Sequence, residues 1–122
     1  MSGRHLYRAG RKHAIITEGP FRGMTVRAFQ QMEKMKRSRR QAWDHADRLC
    51  ARVVRALKEI RQAAGLKPYA LWQWTGVSRD MISCMERGKV MPGMHVIGRL
   101  LYGTRAGMTE LARRVERMRE RR

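Results

Sequence analysis

Between Thr75 and Lys89 the chain reads TGVSRDMISCMERGK, and these residues decide the fold. Gly76 offers a backbone that tolerates positive φ without a Cβ penalty. Two positions later stands Ser78, a residue type whose hydroxyl accepts a backbone N–H at a helix start. Ile82 and Met85 then repeat at i, i+3 with Val77 as an apolar flank, and Gly88 supplies a stop. The stretch predicts a tight turn leading into a short helix.

Upstream lies KPYALWQWTG. Pro68 suits a first helical turn, where its missing N–H costs nothing, and Leu71 with Trp74 recurs at i, i+3 toward a core. Gly76 ends that helix. Downstream, KVMPGM is a turn. A further helix is expected near Met94, with Val96, Ile97, Leu100 and Leu101 inward and Gly103 marking its fraying end. A last helix over roughly Thr109 to Arg119 would present Leu111, Val115 and Met118 on one side.

From Thr25 to Ala64 the sequence has no Gly or Pro and is rich in helix formers. Ala28, Met32, Met35, Arg39, Ala42, Ala46, Leu49, Val53, Ala56, Ile60 and Ala63 follow alternating steps of four and three, the pattern of a packed helical seam. Its alanines favour close packing against another helix of the same chain, with a dimer seam as the other possibility. Gly65 has the position of a glycine just past a helix end. Residues 1–23 hold four glycines, one proline and scattered cations, which reads as a mobile basic arm. Within it, AIITEGPF is compatible with a short strand and turn, but an apolar run of three is too short to specify one.

Lys and Arg number 28 against 10 Asp and Glu, for a formal net charge of +18. The excess is spread: 12 cations and 4 acids in residues 1–50, 8 and 3 in 51–98, 8 and 3 in 99–122. A surplus this large costs stability through self-repulsion unless a polyanion neutralises it, so nucleic acid is the expected partner. No apolar run approaches the length of a membrane span, no secretory signal is evident, and the expected compartment is the cytoplasm. Cys50 and Cys84 stand far apart without a CxxC partner, and His5, His13, His45 and His95 form no ligand spacing; no metal and no cofactor are expected. Nor is there a nucleophile, base and acid set or a phosphate-cradling glycine loop, so an enzyme is not expected.

Two short helices about a glycine-containing turn define a helix-turn-helix, in which the first helix crosses the DNA backbone and the second enters the major groove. The longer string LKEIRQAAGLKPYALWQWTGVSRDMISCMERGKVMPGMHVIGRLL, Leu57 to Leu101, resembles the Cro and phage-repressor (XRE) type of helix-turn-helix protein. The resemblance lies in LKEIR, Gly65-Leu66, TGVS, Ile82-Ser83, ERGK, Pro92 and VIGRLL. It implies an all-α, five-helix, lambda-repressor-like domain whose third helix reads DNA, usually as a homodimer on a paired site. Two positions depart from the pattern: Trp72, where the family has a small residue, often Ala, and Pro68, where it often has Gln.

Carried over to this sequence, the motif makes Arg79 and Asp80 the exposed early positions of the reading helix, with Ser83 and Cys84 one turn on and Ser78 at its start. Arg79 suits a bidentate contact to guanine, and Asp80 could accept from cytosine or orient Arg79; the plain alternative is an exposed ion pair of little energetic value. Ser83 is a short donor to base or phosphate, and Cys84 could pack against a thymine methyl. Lys67, Arg87 and Lys89 flank the helix as phosphate contacts. For Glu86 a structural role in the turn, through local pairing, is expected. Tyr69, Trp72 and Trp74 could stack on single strands, but their spacing favours core packing, Trp74 above all.

The expected organisation is a flexible basic arm over 1–24, a basic helical extension over 25–50, the helix-turn-helix domain over 51–112 and a basic helix end over 113–122. The expected function is that of a sequence-specific regulator of double-stranded DNA, a repressor or autoregulator of the compact bacterial or phage kind. The competing readings are a structural RNA-binding or ribosome-associated basic protein, and an antitoxin-like module whose N-terminal extension meets a protein partner while the motif binds its own promoter.

Overall fold

The structure, a computed structural model, describes residues 14–120. Among them are five helices and no strand: α1 (Val26–Ala63), α2 (Pro68–Thr75), α3 (Arg79–Glu86), α4 (Met94–Thr104) and α5 (Met108–Glu120). Two compact units divide between His45 and Ala46.

In the first unit, residues 14–24 are not the unanchored arm expected from their glycines. Ile16 N–H donates to the Met24 carbonyl at 2.9 Å, Gly23 N–H to Ile16 at 2.9 Å and Val26 N–H to Ala14 at 2.7 Å, around an isolated antiparallel bridge between Ile15 and Thr25. Gly19 and Gly23 take positive φ in the turn. Ile16 is only 1% exposed. The glycines thus make the reversal that seals Ile16, where composition alone suggested backbone freedom. The part of the expected arm over 1–13 lies outside the described residues. Thr25 caps the following helix, its Oγ1 accepting from Ala28 N–H at 3.1 Å.

Here α1 begins, and it runs for 38 residues. The expected seam holds only near its end: Val53, Ala56 and Ile60 face the core of the second unit, joined by Val54 and Leu57. Met35 and Leu49 are exposed, as are Arg39, Ala42 and Ala46. The expected seam therefore does not continue along these positions, whose side chains face solvent. Helix formers favour the helical state there, because such residues lose little rotamer freedom in a solvated helix.

The second unit closes around one apolar core. Leu71 of α2, Val77 of the turn, Ile82 and Met85 of α3, Ile97, Leu100 and Leu101 of α4, and Leu111, Val115 and Met118 of α5 meet the α1 residues there. No polar or charged residue is buried among the described residues. Residues beyond 112 belong to this core through Val115 and Met118, so α5 is part of the domain and not a separate basic end. Arg114 fixes its pose, donating from Nε to Glu110 at 2.7 Å and from Nη1 to Glu59 of α1 at 3.3 Å. The hydrogen bond that Arg114 donates to the Glu110 carboxylate raises the Arg114 pKa above its ordinary value.

Two expectations fail in α2 and α4. Trp74 is 70% exposed; on a helix this short, Leu71 alone takes the inward position. Gly103 is not a fraying point, since α4 continues to Thr104 and ends at Arg105 in the left-handed region, with φ 59°. A Cβ at Gly103 would collide with the Thr75 methyl and lie 3.0 Å from Leu71 Cδ1. This glycine is where α4 touches α2.

Candidate nucleic-acid interface

The turn between α2 and α3 is built from Gly76, Val77 and Ser78. Gly76 takes φ 74°, and its N–H closes α2 on the Trp72 carbonyl at 2.7 Å. Val77 is buried, its N–H donating to Thr75 Oγ1 at 3.2 Å, while the Thr75 hydroxyl donates to Leu71 at 2.7 Å. From α4, Arg99 Nε donates to the Thr75 carbonyl at 3.1 Å. The turn is thus tied to α2 and α4 by these bonds, which fixes the direction in which α3 leaves it.

At the start of α3 the Ser78 hydroxyl accepts from Met81 N–H at 3.1 Å, the capping geometry expected of it. Its end is a Schellman motif: Gly88 has φ 77°, Gly88 N–H donates to Met85 at 3.0 Å and Lys89 N–H to Cys84 at 2.8 Å. Ile82 and Met85 face the core. The outer surface therefore falls to Arg79 and Asp80, which are exposed, and to Ser83 and Cys84, which are half-buried.

The structure brings these four residues onto one short helix, with Arg87 and Lys89 exposed just past its end and Lys67 exposed at the start of α2. Arg79 and Asp80 form no ion pair. Instead the Arg79 guanidinium carbon stands 5.4 Å from the centroid of the Tyr69 ring, and Tyr69 is edge-on to Trp72 at 5.5 Å. Asp80 lies in the first turn of α3, where a carboxylate also complements the helix dipole. Arg87 folds back on its own helix, Nε donating to the Ser83 carbonyl at 3.3 Å and Nη2 lying 3.9 Å from Cys84 Sγ.

Sequence reasoning missed the residues that hold this arrangement. Glu86 pairs not locally but with Arg61 of α1, which donates from Nε at 2.7 Å and Nη2 at 2.9 Å, while Arg61 Nη1 donates to the Leu66 carbonyl at 2.8 Å. One guanidinium ties α1, the turn after it and the end of α3. The signal is an arginine in LKEIR and a glutamate in ERGK, opposite charges 25 residues apart with no local pattern to join them. Tyr69 was also missed as a partner of Arg79, because an aromatic ten residues before an arginine carries no local pattern. Trp72, expected to press between the motif helices, is half out in solvent beside Tyr69, so its bulk is accommodated at the edge.

Residues 52–113 match the family model of a helix-turn-helix domain. This chain belongs to the helix-turn-helix family. The helix-turn-helix core is all-α and consistent with the XRE type suggested by the motif residues, and a domain of this family is a DNA-binding domain. No curated protein and no solved structure gave a significant match. Among the described residues, no helix is long and apolar enough to cross a membrane.

Proposed function

We propose that this helix-turn-helix protein is a sequence-specific regulator of double-stranded DNA, a repressor or autoregulator that acts by occupying its site as a homodimer. The observation that carries the reading is α3: it is capped at Ser78, pinned at Glu86 by Arg61, and turns Arg79 and Asp80 outward at its first turn. In this reading Arg79 contacts guanine through its planar fork and Asp80 accepts from a cytosine amino group or orients Arg79. Ser83 reaches base or phosphate, Cys84 packs on a thymine methyl, and Ser78 sits where the helix meets the groove. Lys67, Arg87 and Lys89 meet phosphates and set register without reading sequence.

The deciding experiment is selection of bound duplexes from a random pool at physiological salt, with structured RNA as competitor. The expected result is an enriched inverted repeat whose half-site spacing reflects two copies of the domain. Equal retention of duplex and RNA with no enriched sequence would remove the regulator reading and favour the structural RNA-binding one.

A further inference from the structure

A cavity of about 520 Å³ opens between α1 and the turn after α3, and its walls bring together Arg55 and Lys58 of α1 with Arg87 and Lys89 of the turn. Among the described residues none of these four cations is ion-paired with a carboxylate. The nearby acids are engaged elsewhere. Glu86, on the same wall, is held by Arg61 through both oxygens, and Glu59, next to Lys58 in sequence, is held by Arg114. Asp47 is the one further carboxylate in the lining. Four cations around a single hollow, with Asp47 as the one carboxylate there not already held by a partner, leave a net positive charge that attracts an anion.

The lining contains no aromatic side chain on which a nucleobase could stack. The chemistry on offer is charge and N–H donors, which suits phosphate oxygens. Arg87 and Lys89 border both this hollow and the end of α3, so an anion seated here lies beside the helix assigned to the groove.

We infer that this cavity seats the backbone phosphate of duplex DNA, so that α1 adds Arg55 and Lys58 to the contact surface of the helix-turn-helix. The inference rests on the duplex-binding reading above and extends it to a helix outside the motif. Contacts of this kind position the protein and carry no sequence information.

The test is the salt dependence of duplex affinity for the full chain, its Arg55→Ala and Lys58→Ala variants, the double variant, and Lys58→Arg. Each lost phosphate contact is expected to lower the magnitude of the slope of log affinity against log salt by about 0.9. The double variant should weaken every duplex by the same factor, leave the selected sequence unchanged, and keep the wild-type thermal transition, since both residues are exposed; Lys58→Arg should retain the wild-type slope. An unchanged slope in the double variant, with wild-type affinity, would overturn the inference while leaving the regulator reading intact. Failure of the unmodified chain to bind any duplex would instead remove that reading. Calorimetric titration with pyrophosphate in the absence of DNA separates the other source of phosphate: saturable binding abolished by the double variant, with the duplex slope unaltered, would assign the cavity to a free anion and overturn the DNA assignment.

Discussion

Arg61 and Glu86, 25 residues apart in sequence, face each other with two parallel hydrogen bonds of 2.7 and 2.9 Å, and their side chains are only 11% and 10% exposed. This pair joins the end of α1 to the end of α3, and removing one partner leaves the other charged and poorly hydrated. Glu86→Leu is expected to cost about 3 kcal/mol of stability. Arg61→Met should cost more, because it also strips the Leu66 carbonyl of its donor. The double variant should lose clearly less than the sum of the two, with a coupling of about 1–3 kcal/mol in chemical denaturation. Additive losses would mean that the two side chains do not interact in solution.

Gly103→Ala sets two effects against each other. Alanine in a helix interior gains about 1 kcal/mol over glycine, but here the new methyl runs into Thr75 and Leu71. Thr75 cannot swing aside without giving up its hydroxyl bond to Leu71 and its acceptance from Val77. Overpacking of this kind costs about 1–3 kcal/mol, so the variant should melt below the wild type. A higher melting temperature would show that α2 and α4 are not in close contact.

What was legible in the sequence, and what was not, follows from the range of each interaction. The ends of α2 and α3 were readable because Pro68, Gly76, Ser78 and Gly88 act within a few residues of themselves. The inward faces of α4 and α5 were readable from spacing. Tertiary features were not: the Arg61 clasp, the Tyr69 partner of Arg79 and the closeness at Gly103 all depend on helices brought together from far along the chain. Trp74 misled because apolar spacing does not reveal how many inward positions a two-turn helix can fill, and Leu71 filled the only one. The glycines of residues 14–24 misled in the opposite sense, since composition cannot distinguish a loose segment from a tight reversal over a buried isoleucine.

Arg105 ends α4 in the left-handed region without being a glycine, a conformation that costs an ordinary residue about 1–2 kcal/mol. Arg105→Gly should therefore raise stability by about 1 kcal/mol. Thermal denaturation followed by circular dichroism checks it, and a loss of stability would mean that the Arg105 side chain contributes more than its backbone strain.

Trp74→Ala distinguishes a surface aromatic from a core one. At 70% exposure the substitution should change stability by no more than about 0.5 kcal/mol, whereas truncating a core tryptophan costs about 3–5 kcal/mol. A large loss in urea denaturation would place the ring inside.

On DNA, Arg79→Ala and Lys89→Ala should differ in kind. The first is expected to cost about 1–3 kcal/mol on the preferred duplex and relax preference at one base pair, while the second weakens all duplexes alike. Tyr69→Leu should act on the same base pair as Arg79→Ala, with a smaller loss of about 0.5–1 kcal/mol, by freeing the guanidinium from its ring. Binding measured across a panel of single-base variants separates these outcomes; a uniform loss for Arg79→Ala would remove it from the reading surface.

The clasp that Arg61 makes on Glu86 and on the Leu66 carbonyl separates two kinds of position on a helix of eight residues. Ile82, Met85 and Glu86 are fasteners, and altering them disturbs the scaffold. Arg79 and Asp80 fasten nothing to the core, so they resemble interchangeable type in a locked frame. Under the proposed reading, new target preferences would arise by swapping those letters alone, with the foldable chassis inherited unaltered from one variant to the next.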